Sequence, residues 1–135
     1  MNYFKLETTN FDDNIPTGCQ GVYKLVSLDD SGNPIPVPRF LGIDPDGILY
    51  IGCSPQRTLR ERIADLVKAT HPRYKGGSHI FGKKYKRIVA ALDNRFPFNS
   101  LALSFEVTEH PLSAEREMID AYRARFGEEP PFNSH

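Results

Sequence analysis

The side chains best suited to act on a polyanion are concentrated in the middle of the chain. Positions 57–95 carry Arg57, Arg60, Arg62, Lys68, Arg73, Lys75, Lys83, Lys84, Lys86, Arg87 and Arg95 against only Glu61, Asp65 and Asp93. Residues 1–50 and 96–135 are each acidic, with three Lys/Arg against seven Asp/Glu. The formal net charge is zero, but local potential, not the chain total, steers a charged partner. The basic tract therefore implies a phosphate-rich partner, set against the blander reading of a solvated helix face. Gly76-Gly77-Ser78-His79 precedes the densest basic stretch. It would bring an imidazole and helix N–H groups near a phosphate, although a plain surface-loop histidine fits equally well. Cys19 and Cys53 form no CxxC pair and no metal-ligand set, so they read as reduced, small buried hydrophobes in a cytoplasmic protein.

The surrounding sequence supplies elements to position such groups. Gly21–Leu28 is rich in β-branched and aromatic residues and reads as a strand. Asp29–Gly47 is rich in Pro, Gly and Asp and reads as a long insertion, with Pro34–Pro38 unsuited to a central strand. Asp46-Gly47 turns the chain into a second strand, Ile48–Gly52, antiparallel to the first. Thr58 can cap a helix to about Ala69, with Leu59, Ile63, Leu66 and Val67 on its apolar face. A second helix spans about Ile80–Asn94, with Phe81, Tyr85, Ile88, Val89 and Leu92 on one side. Leu101, Leu103, Phe105 and Val107 alternate with polar or small residues, predicting a third strand with one buried face. Ser113 can cap a last helix from Ala114 to about Phe126, ended by Gly127 and Pro130. The order β-β-α-α-β-α is an α+β arrangement in one domain over residues 1–135. No run approaches ~18 apolar residues and no leader pattern opens the chain, so neither a membrane span nor secretion is expected.

Within that frame, Gly21-Val22-Tyr23 and Tyr50-Ile51-Gly52 resemble the paired signature of the GIY-YIG nucleases. Each tripeptide alone is weak. The ordered set is stronger: Leu59-Arg60-Glu61-Arg62-Ile63 follows, then Glu115 four residues before Ile119, then Phe132-Asn133. The resemblance runs from Gly21 to Asn133. It implies a small three-stranded antiparallel sheet flanked by helices, and hydrolysis of DNA phosphodiesters with one divalent metal. Related activities include homing, restriction, excision-repair and recombination nucleases.

The resemblance also implies roles. Hydrolysis of a charged phosphodiester needs charge neutralisation and an activated water. Glu115 would hold Mg²⁺ or Mn²⁺, with water and substrate oxygens completing a weak single-carboxylate site. Arg62 would neutralise transition-state charge. Tyr23 would orient or deprotonate the water, which requires positive charge to offset a phenol pKa near ~10. Tyr50 would share that role or bind phosphate, and Asn133 would position Glu115 or the phosphate. Arg57, Lys83, Lys84, Lys86 and Arg87 would hold the DNA backbone.

Three departures accompany the match. Tyr23 and Tyr50 are 27 positions apart, where many members use a short turn, so the 29–47 insertion is enlarged as in some restriction-type members. Ungapped spacing from Tyr50 selects Arg60 as the catalytic arginine, whereas the Leu-x-x-Arg-Ile context selects Arg62 and keeps Leu59 and Ile63 buried. The family's histidine or tyrosine one turn later is Leu66 here, leaving His71 or His79 as substitutes. With no appended DNA-binding domain, the insertion, the 71–79 loop, a homodimer or a partner protein would supply specificity. The alternative is a catalytically inactive nucleic-acid-binding module of the same fold.

Overall fold

The computed structural model describes residues 3–7, 13–72, 80–89 and 96–133. They form an α+β fold: β1 (Phe4–Lys5), β2 (Gly21–Ser27), β3 (Val37–Arg39), β4 (Gly42–Asp44), β5 (Ile48–Cys53), α1 (Leu59–Thr70), α2 (Ile80–Val89), β6 (Leu101–Val107) and α3 (Pro111–Phe126). The main sheet is antiparallel in the order β1-β6-β2-β5. The expected three strands are therefore β2, β5 and β6, extended by the two-residue β1. β1 is too short to show a period in the sequence.

β2 lies between β5 and β6 and has helices over both faces. Tyr23 and Leu25 enter a core with Leu59, Ile63 and Leu66 of α1 and with Phe81 and Tyr85 of α2. Val22 faces the other way, into a cluster with Ile51, Cys53, Tyr122 and Phe126 beneath α3. A strand covered on both sides has no polar face, which explains the nearly unbroken burial of β2. β6 departs from the predicted alternation. Leu101 to Ser104 are all buried, whereas Val107 is 53% exposed, so cover is lost along the strand's length.

α1 begins as the sequence predicts. Thr58 accepts from the Glu61 N–H while the Glu61 carboxylate reaches back to Thr58, closing a capping box. α3 begins differently: His110 occupies the cap, Pro111 opens the helix, and no side chain caps it. Proline presets the helical φ and has no N–H to satisfy there, so Ser113 is not needed as the cap. Gly127 ends α3 at φ 80°, in the left-handed region.

The 29–47 insertion contains a hairpin, β3 with β4, rather than a plain connection. Its prolines mask the strand pattern, and Pro38 is tolerated because the ribbon has two free edges. The hairpin docks on the end of α3. Leu41 N–H donates to the Phe126 carbonyl at 3.0 Å, Phe40 N–H donates to the Glu128 carboxylate at 2.7 Å, and Arg39 pairs with Glu128 at 2.6 Å. Phe40 remains 80% exposed at its tip. Among the described residues no helix is long and apolar enough to cross a membrane.

Candidate active site

The glycines of both tripeptides are steric requirements. In the antiparallel register Tyr23 lies opposite Gly52. A Cβ on Gly52 would lie 2.5 Å from the Tyr23 hydroxyl and 2.8 Å from the Tyr50 ring. The Tyr23 phenol thus lies across the bare backbone of β5. A Cβ on Gly21 would collide with the Glu106 carbonyl and stand 3.1 Å from Leu59. Gly52→Ala is expected to destabilise the fold by about 1–3 kcal/mol through overpacking. Denaturant midpoints check this, and Tyr23→Leu in the same chain should recover part of the loss because the two positions touch.

The two phenols are neighbours, with ring centroids 6.3 Å apart and planes inclined at 45°. Tyr50 also packs on Phe81 at 5.3 Å, which anchors it to α2. Arg62, from the first turns of α1, is close enough for its charge to act on Tyr23, Tyr50 and Cys53. Glu115, from α3, acts on the same three groups. The phenols of β2 and β5 are therefore neighbours, and charges carried by α1 and α3 act on both.

Burial dominates the electrostatics there. It pushes the Tyr23 pKa well above its ordinary value, with Tyr50 adding to the rise and Arg62 opposing it. Burial, then Glu115, pushes Tyr50 up to about 12, again against Arg62. The expected depression of a phenol pKa does not arise from the protein's own charges, because desolvation outweighs one guanidinium. At neutral pH Tyr23 is a phenol.

Arg62 and Arg60 are now distinguished by position. Arg60 is turned to the segment before β2, donating through Nε and Nη2 to the Ile15 carbonyl at 3.2 and 2.5 Å. Arg62 lies beside the phenols, and its Nε is buried with no hydrogen-bond partner among the described residues. An unpaired buried donor costs about 1–3 kcal/mol, so the fold carries this group at a loss.

Asn133 lies on the same strand's flank but is engaged with main chain. Its Nδ2 donates to the Ile51 carbonyl and its Oδ1 accepts from the Ile51 N–H, both at 2.9 Å. It clamps β5 between Tyr50 and Gly52, so any positioning it does runs through the strand. His79 lies outside the described residues. His71 follows α1 and stands edge-on to Phe98 at 5.2 Å. Leu66 is fully buried in the core.

Of the basic groups, Arg57 is paired with Asp65 and, at 3.6 Å, with Glu61, which offsets its charge. Lys84 is half-buried, with Nζ 3.5 Å from the Phe132 carbonyl. Lys86 is half-buried and Arg87 exposed on α2. The Lys83 side chain is outside the described residues.

Cys53 is the residue that sequence reasoning passed over. It is buried, as expected, in the cluster beneath α3 with Val22, Ile51, Tyr122 and Phe126. Burial, then Glu115, pushes its pKa up to about 12. Its place directly after Tyr50-Ile51-Gly52 was the available signal.

Among the described residues no group of three or more His, Cys, Asp or Glu is placed to hold a metal ion. A hard divalent ion fits a single carboxylate such as Glu115 only where water and substrate oxygens supply the remaining ligands. The chain matches no protein-family model, no curated protein and no solved structure.

Proposed function

We propose that this chain is a divalent-metal-dependent endonuclease of the GIY-YIG type that hydrolyses DNA phosphodiesters. The observation that carries the reading is Arg62: a half-buried side chain whose buried Nε has no hydrogen-bond partner among the described residues, and whose charge acts on both phenols. A cation held in this way suits an anion that arrives from outside, and a phosphodiester fits its planar fork.

In this reading Arg62 receives the non-bridging phosphate oxygens and stabilises charge that builds in the transition state. Tyr23, held as a phenol, hydrogen-bonds the attacking water and fixes its line of approach. Tyr50 lies alongside and contacts the phosphate or the same water. Mg²⁺ or Mn²⁺, held by Glu115, supplies Lewis-acid polarisation of the phosphate and further positive charge. Lys84, Lys86 and Arg87 on α2 bind the flanking backbone. The β3–β4 hairpin is bordered by Asp44, Asp46 and Glu128, which repel phosphate, so the DNA lies on the α1–α2 side.

A second reading, DNA binding without cleavage, draws on Leu66, which occupies the position of the family's helix base and is fully buried. Supercoiled plasmid with Mg²⁺ or Mn²⁺ separates the two. Nicking that EDTA abolishes supports the enzyme; retardation without nicking supports the binder; neither sinks both. Binding affinity should fall with salt by a log–log slope of about −0.9 per phosphate contact. Lys86→Ala with Arg87→Ala should reduce that slope by about 2, measured by fluorescence anisotropy across a salt series.

A further inference from the structure

The face of the sheet turned away from the phenols carries a cavity of about 470 Å³. Small-molecule sites run from about 300 to 1,000 Å³. Side chains alternate across a strand, so Val22 and Lys24 of β2 stand on the face opposite Tyr23. In the register of β2 with β6, Val22 lies against Glu106 and Lys24 against Ser104. These four residues line the cavity together with Tyr3 of the N-terminal segment and Met118 of α3. Lys24 is half-buried and Glu106 exposed. Among the described residues, neither side chain makes an ion pair or a hydrogen bond.

Opposite charges on neighbouring strands support each other best when directly across the ladder. Lys24 and Glu106 are instead diagonal, a separation of about 7–8 Å along the backbone, and their charged ends stay apart. A half-buried ammonium without a counter-charge has given up water and gained no partner. A simple anion would meet Lys24 but be repelled by Glu106, and a simple cation would meet the reverse. A molecule that carries both charges satisfies both side chains. We propose that this cavity binds a small zwitterion of the α-amino-acid class, its carboxylate on Lys24 and its ammonium on Glu106. The ligand's own side chain is apolar, because Val22 and Met118 offer it apolar surface. The site shares no residue with Tyr23, Tyr50, Arg62 or Glu115, so it stands or falls apart from the nuclease reading.

The test uses the full chain in isothermal titration calorimetry, with L-phenylalanine as the probe. Two analogues split its charges: 3-phenylpropanoate keeps only the carboxylate, and 2-phenylethylamine keeps only the ammonium. L-Phenylalanine should bind about tenfold or more tightly than either, as the loss of a hydrogen bond to a charged partner implies. Lys24→Met and Glu106→Gln should each weaken L-phenylalanine about tenfold or more on the same ground. Lys24→Arg keeps the positive charge and still pairs with a carboxylate, so it should stay within about threefold of the parent chain. No saturable binding of L-phenylalanine below about 10 mM overturns the proposal. Either analogue binding as tightly as L-phenylalanine also overturns it, as does unchanged affinity in Lys24→Met or Glu106→Gln. Equal weakening by Lys24→Met and Lys24→Arg overturns it too, because a packing role moves both together. Should Lys24→Met fail to fold by circular dichroism, Lys24→Gln takes its place beside Lys24→Arg, read by the same contrast.

Discussion

Glu115→Gln is expected to reduce metal-dependent plasmid nicking by about 10³-fold or more, since a catalytic divalent ion contributes several kcal/mol to the barrier and ~1.4 kcal/mol is tenfold. The substitution keeps the shape of the side chain and removes only its charge. Glu115 is half-buried on α3 and makes no ion pair among the described residues, so the fold has little to lose. Single-turnover cleavage reads the chemical step, and anisotropy in EDTA reads DNA binding, which should persist. Cleavage within about tenfold of the parent chain would remove Glu115 from the mechanism.

Arg62→Ala should lower cleavage by about 10²–10³-fold, the usual loss when a donor to developing charge is deleted. Lysine should restore little, because a point charge cannot reproduce the guanidinium fork. The informative partner is Arg60→Ala. Arg60 is committed to the Ile15 carbonyl, so its loss should cost about 1 kcal/mol of stability and leave the cleavage rate nearly unchanged. Arg62→Met should do the reverse. It removes an unsatisfied buried donor, and a well-packed apolar replacement for a buried charge is often neutral or stabilising. Thermal melts beside cleavage rates check the pair, and a common loss of both properties in both variants would dissolve the distinction.

Legibility followed the range of the interactions involved. The capping box of α1 was readable because Thr58 and Glu61 satisfy each other within one turn. The start of α3 was not, because Pro111 competes with Ser113 and only the finished helix shows which residue begins it. β2 and β5 were readable from β-branched and aromatic runs, but the cover on both faces of β2 comes from three helices distant in sequence. β3 and β4 were hidden because prolines and glycines signal a loop, and the hairpin depends on the end of α3, 80 or more residues onward, to hold it. The choice between Arg60 and Arg62 was a one-residue ambiguity in the sequence; the geometry separates them because adjacent even positions on a helix point in different directions. The high pKa of the phenols was beyond reach, since desolvation depends on what packs over a side chain rather than on its neighbours in the chain.

The bonds that Phe132 and Asn133 make to β5 have a consequence beyond holding Tyr50. Among the described residues β5 is one of the two edge strands of the main sheet. Phe132 N–H reaches the Leu49 carbonyl at 2.9 Å, and the Asn133 amide satisfies both polar groups of Ile51. These two residues therefore stand in for a missing neighbouring strand. Without them an apolar ribbon, Ile48-Leu49-Tyr50-Ile51, would offer unpaired amides and carbonyls to any other extended chain, the usual template for edge-to-edge aggregation. The same segment that steadies β5 thereby keeps the molecule from adding copies of itself to its sheet.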